Sequence, residues 1–212
     1  MSTAELDHEP GTLTAVAPTG GVWVCGVDLS LTSTAVSALH TGTGDLYLHR
    51  VRSSGKATDS LFSKLDRYRD LAQKVAQAAC SSSPALVAIE GAQFSTSKDT
   101  SAHRRAGLWW RTVDLITAAG FVVVEVPPTT LKKWGTGKGN ASKDMVLASA
   151  VRRWMQVTQN DEADAAWLAD IAAYVGGANL VTHTKARDAV LAKLDLRDFE
   201  DARSAQVMAA VR

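Results

Sequence analysis

The chain has 212 residues, 46% of them hydrophobic, enough for one substantial domain with appendages. Lys plus Arg number 23 and Asp plus Glu 22, a formal net charge of +1, so bulk charge does not announce a nucleic-acid binder and any such site has to be local. No apolar run is long enough to span a bilayer and no basic-then-apolar leader opens the chain. The expectation is a cytoplasmic protein, away from any membrane, with Cys25 and Cys80 as reduced packing thiols.

Residues 1–20 are rich in Thr, Ala, Gly and Pro without a period and read as a disordered tail. Val22 to Asp28 reads as a buried strand, "SLTST" as a turn, Ala35 to His40 as a second strand and Leu46 to Val51 as a third, an antiparallel meander. Leu61, Leu65, Tyr68, Ala72, Val75 and Ala79 step by four and three, which predicts a long helix with one apolar face. "ALVAI" predicts a strand covered on both faces and runs into Glu90. A polar loop, "STSKDTS", leads to a helix over 102–119 with Leu108, Trp109, Leu115 and Ile116 inward. "FVVVEV" predicts another buried strand, stopped by Pro127 and Pro128. A short helix with Leu131 and Trp134, the loop "GTGKGN", a helix over 142–156 and a helix over "NDEADAAWLADIAAYV" follow.

The order βββαβαβ followed by helices implies an α/β fold: a mixed sheet with helices on both faces. It divides the chain into a tail (1–20), a core domain (21–178) and a helical, highly charged C-terminal extension (179–212).

Two acids stand where apolar strands end, Asp28 and Glu90. Two more, Asp161 and Asp164, lie three apart at a helix start and so share nearly one face; Asp170 falls on the far side, and Glu162 is a weaker candidate beside it. Any one of these would pass as a turn or cap residue. Together they are the hard oxygen donors that Mg²⁺ or Mn²⁺ requires, and a pair of such ions could activate water against a phosphodiester.

Four stretches carry a resemblance. "GVDLSLTSTAVSAL" resembles the first strand and hairpin of the RuvC-type Holliday-junction resolvases, members of the ribonuclease H-like superfamily, and "VAIEGAQF" resembles their second acidic motif. "LKKWGTGKGNASKDMVLASAV" is similar to their Gly-rich loop and lysine-bearing helix, and "DEADAAWLADIAAY" to their last helix. The matches run from residue 22 to about 175 in the family's order, with a flavour of bacteriophage members.

The resemblance implies a ribonuclease H-like fold and a metal-dependent endonuclease acting on branched DNA, above all four-way junctions, leaving 5′-phosphate and 3′-hydroxyl ends. It implies two Mg²⁺ ions, or Mn²⁺, on Asp28, Glu90, Asp161 and Asp164. Lys143 matches a lysine near the scissile phosphate, and Phe94 an aromatic that wedges into the junction. The helix holding Trp109 and Trp110 matches the one used for homodimerisation. The C-terminal extension and the Trp pair depart from the cellular resolvases and leave assembly and substrate choice open.

Around the acids, Ser30, Thr32 and Ser33 could donate to phosphate. Lys98, Arg104, Arg105, Lys132, Lys133 and Lys138 could form a basic rim. Two alternatives stay open: a related nuclease acting on RNA, and a junction-binding protein that does not cut. An actin-like or sugar-kinase ATPase would need a second such domain, for which 212 residues are too few.

Overall fold

The structure, a computed structural model, describes residues 20–92, 101–178, 180 and 184–210. Three strands come first: β1 (Trp23–Asp28), β2 (Ser33–His40) and β3 (Leu46–Arg52). Helix α1 (Leu61–Cys80), strand β4 (Val87–Glu90), helix α2 (Ala102–Ala118) and strand β5 (Val123–Val126) follow. The remainder is helical: α3 (Pro128–Thr136), α4 (Lys143–Arg153), α5 (Asn160–Val175), α6 (Lys185–Leu191) and α7 (Arg197–Ala210).

The strands form one sheet in the order β3-β2-β1-β4-β5. β1–β2 and β2–β3 are antiparallel, whereas β1–β4 and β4–β5 are parallel. The antiparallel pairs are joined by short turns; the parallel pairs need a crossover, which α1 and α2 supply. The β1–β2 turn is closed by Thr34, whose buried hydroxyl accepts from the Ser30 N–H (3.0 Å) and donates to the Ser30 carbonyl (2.9 Å).

The pleat sends alternate β1 side chains to opposite faces. Cys25 and Val27 join Val36, Ile89 and the α1 and α2 core residues Val75, Leu108 and Ile116. Val24 joins Leu39, Ala88, Val124 and the α5 residues Leu168 and Ile171. Asp28 is in phase with Val24 and Gly26, so it lies on the α5 face. Gly26 is what lets α5 come down: a Cβ there would meet the Ala165 carbonyl at 2.1 Å, the Ala169 nitrogen at 2.5 Å and Leu168 Cβ at 2.9 Å. The alanine-rich underside of α5 completes this close approach, and the buried Ser37 hydroxyl donates to the Ala165 carbonyl at 2.7 Å.

The mixed sheet, the helices on both faces and the element order agree with the sequence reading. Three details differ. Leu61, Phe62 and Leu65 on the first turns of α1 are exposed (78%, 75% and 38%), because the helix overhangs the sheet and is buried only from Leu71 onward. α4 stops at Arg153, not near 156: Trp154 turns extended (φ −133°, ψ 100°) and buries its indole against that of Trp167 (4.9 Å between centroids). The C-terminal segment is two helices; Leu191, Leu194, Leu196 and Phe199 pack on the α5-face core. The tail expected over 1–20 lies, but for residue 20, outside the described residues. Both cysteines are free thiols, and among the described residues no helix is long and apolar enough to cross a membrane.

Candidate active site

Asp28 and Glu90 end two neighbouring parallel strands, with Val27 opposite Ile89 in the register, so their carboxylates emerge side by side at the carboxyl edge of the sheet. α5 crosses above β1 and brings Asp161 and Asp164 over the same edge. Asp28, Ser30, Ser33, Lys143, Asp161 and Asp164 line one open cleft of about 580 Å³.

The acids feel one another. Burial first, then the charges of Glu90 and Asp164, a hydrogen bond with Glu90 and the charge of Asp161 push the Asp28 carboxyl well above its ordinary range. Asp164 is pushed up to about 7 by burial and by Glu90 and Asp161, against the pull of Lys143 and Lys132. A hydrogen bond between two carboxyls needs a shared proton, and that proton sits where a small cation would relieve the same repulsion. The donor set fits a hard divalent ion. Among the described residues, however, no three of the acids are gathered tightly enough to grip an ion as they stand.

The raised carboxyls make a stability prediction with a definite sign. A raised folded pKa contributes stability that is complete below about pH 4, where the unfolded chain also holds the proton. It is lost as the pH climbs through the folded value, about 7 for Asp164. In chelator, the melting temperature of the wild type relative to Asp164→Asn is expected to fall by roughly 5 °C between pH 4 and pH 8. A difference that does not change with pH would disprove this account of Asp164.

The other acids of the α5 start are engaged elsewhere. Asp161 Oδ1 accepts from Arg50 Nη2 (2.8 Å) and Asp161 Oδ2 from the Ser33 hydroxyl (3.0 Å). Glu162 is a helix cap: burial opposes its charge, but hydrogen bonds from the Thr158 N–H and hydroxyl, the Arg50 charge and the Gln159 N–H hold its carboxyl below the usual range. Asp170, set aside on helical phase, is fully buried on the side of α5 away from the cleft, paired with Arg153 and Trp134.

Lys143 is the first residue of α4, where the helix dipole disfavours a cation, yet it lines the cleft and acts on Asp164. Lys132 reaches the same acid from α3. Lys133 is partly buried on α3 and Lys138 is exposed just beyond it.

Other expected contacts are placed differently. Ser30 lines the cleft and Thr32 is exposed beside it, but the single hydroxyl proton of Ser33 goes to Asp161 and leaves none for a phosphate while that bond stands. Arg104 is not on the acid cleft: it lines a groove between α1 and α2 on the opposite face of the sheet. Arg105 donates to the Ser101 hydroxyl at 2.9 Å. Phe94 and Lys98 lie outside the described residues. Trp109 is buried and donates from Nε1 to the Glu90 carbonyl (2.9 Å), pinning the end of β4; its neighbour Trp110 is 67% exposed. Arg50 is the residue the sequence did not mark.

No protein-family model matches the chain, and no curated protein does. Solved structures do match. Thermus thermophilus RuvC superposes with a TM-score of 0.56 at 20% identity, covering 74% of this chain and 98% of that one. T. thermophilus RuvC in complex with Holliday junction substrate superposes at 0.58, again at 20% identity, over 73% of this chain and 94% of that one. The chain has the RuvC fold. The fowlpox virus Holliday junction resolvase also aligns, over 73% of this chain and 99% of that one, at 12% identity and a TM-score of 0.45, too distant to carry an argument. The RuvC fold is a ribonuclease H-like one, a five-stranded mixed sheet between helical layers, as the sequence predicts. In the RuvC fold of this chain the acid cleft opens at the carboxyl ends of β1 and β4, where parallel strands of open sheets place their ligand sites.

Proposed function

We propose that the chain is a metal-dependent, structure-selective endonuclease that cleaves branched DNA, resolving four-way junctions by paired hydrolysis to 5′-phosphate and 3′-hydroxyl ends. One observation carries the reading: Asp28, Asp161 and Asp164 line one open cleft together with Lys143, and the charges of Glu90, on the neighbouring strand end, and of Lys132 bear on the same acids. Capping explains Glu162; it does not explain Asp28, Glu90 and Asp164. The likeness to RuvC, solved with a Holliday junction substrate, supports the choice of DNA over other phosphodiesters.

Asp28, Glu90 and Asp164, with Asp161 beside them, would hold Mg²⁺ or Mn²⁺, two ions in the fullest form. Bound there, the metal would supply Lewis acidity toward water and toward the departing oxygen. The residues themselves do the rest. β1 and β4 are buried strands, so they fix Asp28 and Glu90 against drift. Lys143, held at the start of α4, offers a positive charge to the non-bridging phosphate oxygens as charge builds there. Lys132, Lys133 and Lys138, with Ser30 and Thr32 on the other lip, offer phosphate contacts along the cleft. Phe94 and Lys98 keep their proposed parts as wedge and rim.

A homodimer suits two related cuts, because a two-fold axis presents two equivalent sites. The surface proposed for it is the groove of about 760 Å³ between α1 and α2, floored by Leu65, Tyr68 and Leu108. Leu61, Phe62 and Trp110 stand exposed on the same two helices. Exposed aromatics of this kind are typical of interfaces.

The test is cleavage of an end-labelled four-way junction and of the matching linear duplex, with and without Mg²⁺. Paired nicks on the junction alone, dependent on the ion, are expected. A folded protein that cuts neither substrate would remove the DNA-cleaving reading in favour of an RNA substrate or of junction binding without cleavage. Equal cutting of both would remove the selectivity for branches.

A further inference from the structure

We propose that Arg50 is a positioning residue that withholds Asp161 from the other three acids, and thereby sets how tightly the cleft takes a divalent ion. The inference rests on the metal-site reading above and deepens it.

The strand register puts Arg50 in place. Asp28 lies opposite Ala35 on β2, and Ala35 lies opposite Arg50 on β3, so the three form a row across the sheet on its α5 face. Adjacent strands are about 4.8 Å apart, so the Arg50 backbone stands about 10 Å from that of Asp28. Ala35, a fully buried methyl, leaves room above it, and the long Arg50 side chain reaches over the sheet to the first turn of α5.

There it finds three acceptors. Nη2 donates to Asp161 Oδ1 (2.8 Å) and Glu162 Oε1 (3.0 Å), and Nη1 donates to Gln159 Oε1. Asp161 is held from other sides as well: Ser33 donates to Oδ2 (3.0 Å) and the Glu162 N–H to Oδ1 (3.0 Å). Three of about four lone-pair positions on the carboxylate are therefore taken. The ion pair is partly sheltered, with 15% of the Arg50 side chain and 21% of the Asp161 side chain exposed, so it is screened less than an open surface pair.

Release need not strand the arginine. If Asp161 turns toward an ion, Arg50 keeps Glu162 and Gln159. The exchange therefore leaves no unpaired guanidinium and sets Arg50 against the ion in competition for Asp161. Removing Arg50 ends that competition.

The test is isothermal titration of the full-length chain with Mn²⁺ alone, without DNA, for wild type, Arg50→Gln, Asp161→Asn and the double variant, each checked for folding by circular dichroism. Arg50→Gln is expected to bind Mn²⁺ about tenfold more tightly, the scale of a charge-assisted hydrogen bond lost to the competitor. In the Asp161→Asn background the same change is expected to shift affinity by about twofold or less, because the effect runs through Asp161. Unchanged or weaker binding by Arg50→Gln would overturn the inference. So would equal tightening in both backgrounds, which would mark Arg50 as a distant charge only. A wild-type chain that binds no Mn²⁺ would overturn the metal-site reading and this inference with it. Should Arg50→Gln unfold, Arg50→Met, which keeps the aliphatic stem but removes the charge and its donors, runs through the same cycle with the same criteria.

Discussion

Asp28→Asn is expected to abolish junction cleavage, by about 1,000-fold or more, while leaving junction affinity within about twofold. Asp28 is where β1 leaves the sheet, and burial, Glu90 and Asp164 all press on its charge. An amide has the shape of the protonated acid and can donate to Glu90 in place of the shared proton, but it gives an ion no negative oxygen. The lysines that would meet the phosphate backbone, Lys132 and Lys143, stand on α3 and α4 and are untouched by the change.

The same substitution is expected to stabilise the metal-free protein at pH 8, by about 1–2 kcal/mol, or several degrees in melting temperature. Above about pH 4 the unfolded chain releases the Asp28 proton, while the folded chain must keep it or bear the repulsion. Asn avoids both costs, so the gain should vanish near pH 4 and grow as the pH rises. The paired readout separates roles. A destabilised and inactive variant would make Asp28 a packing residue. A fully active one would remove it from the site whatever its stability.

The acids were legible because each interrupts a strong pattern. Apolar runs predict β1 and β4, and a carboxylate at the end of such a run has to be satisfied by something. Spacing of three placed Asp161 and Asp164 together once the helix was recognised. Arg50 was not legible as a partner of the acids: in "LYLHRVR" it falls in phase with Leu46 and Leu48, where alternation calls for an apolar residue, but that break does not say what the guanidinium meets. Its importance depends on the β2–β3 register and on α5 lying over that row, which no local pattern encodes. Arg104 fails for a similar reason. Its nearness to Glu90 in sequence suggested the cleft, but α2 runs on the α1 side of the sheet while the acids open on the α5 side. Leu61 and Leu65 show the limit of periodicity, which identifies an apolar face without naming what covers it. Asp170 shows the converse. Phase correctly kept it from the acid cleft, yet a polar far side would ordinarily be solvated, and here α5 is buried all round.

That burial makes Asp170→Ala the substitution expected to cost most in stability, about 3–5 kcal/mol. Asp170 is 0% exposed. Its Oδ2 accepts from Trp134 Nε1 and its Oδ1 from Arg153 Nη2, both at 2.8 Å. Burial still outweighs these partners and pushes the carboxyl above its ordinary value, so the pair is not itself a large net gain. The cost lies in breaking it: alanine leaves an indole N–H and a largely buried guanidinium without their acceptor. The damage should spread to the C-terminal segment, because Arg153 also donates to the Leu180 carbonyl (3.1 Å) and Arg187 lies 5.2 Å from the Trp134 ring centroid. Asp170→Asn keeps an acceptor for one donor and is expected to cost about half as much. The double change Asp170→Ala, Arg153→Ala should cost less than the sum of the single changes, since it removes the charge that alanine at 170 alone would strand. Urea unfolding measures all of these. A loss below about 1 kcal/mol for Asp170→Ala would put the pair on the scale of an exposed ion pair and refute its role in fastening α5 to α3, α4 and the C-terminal helices.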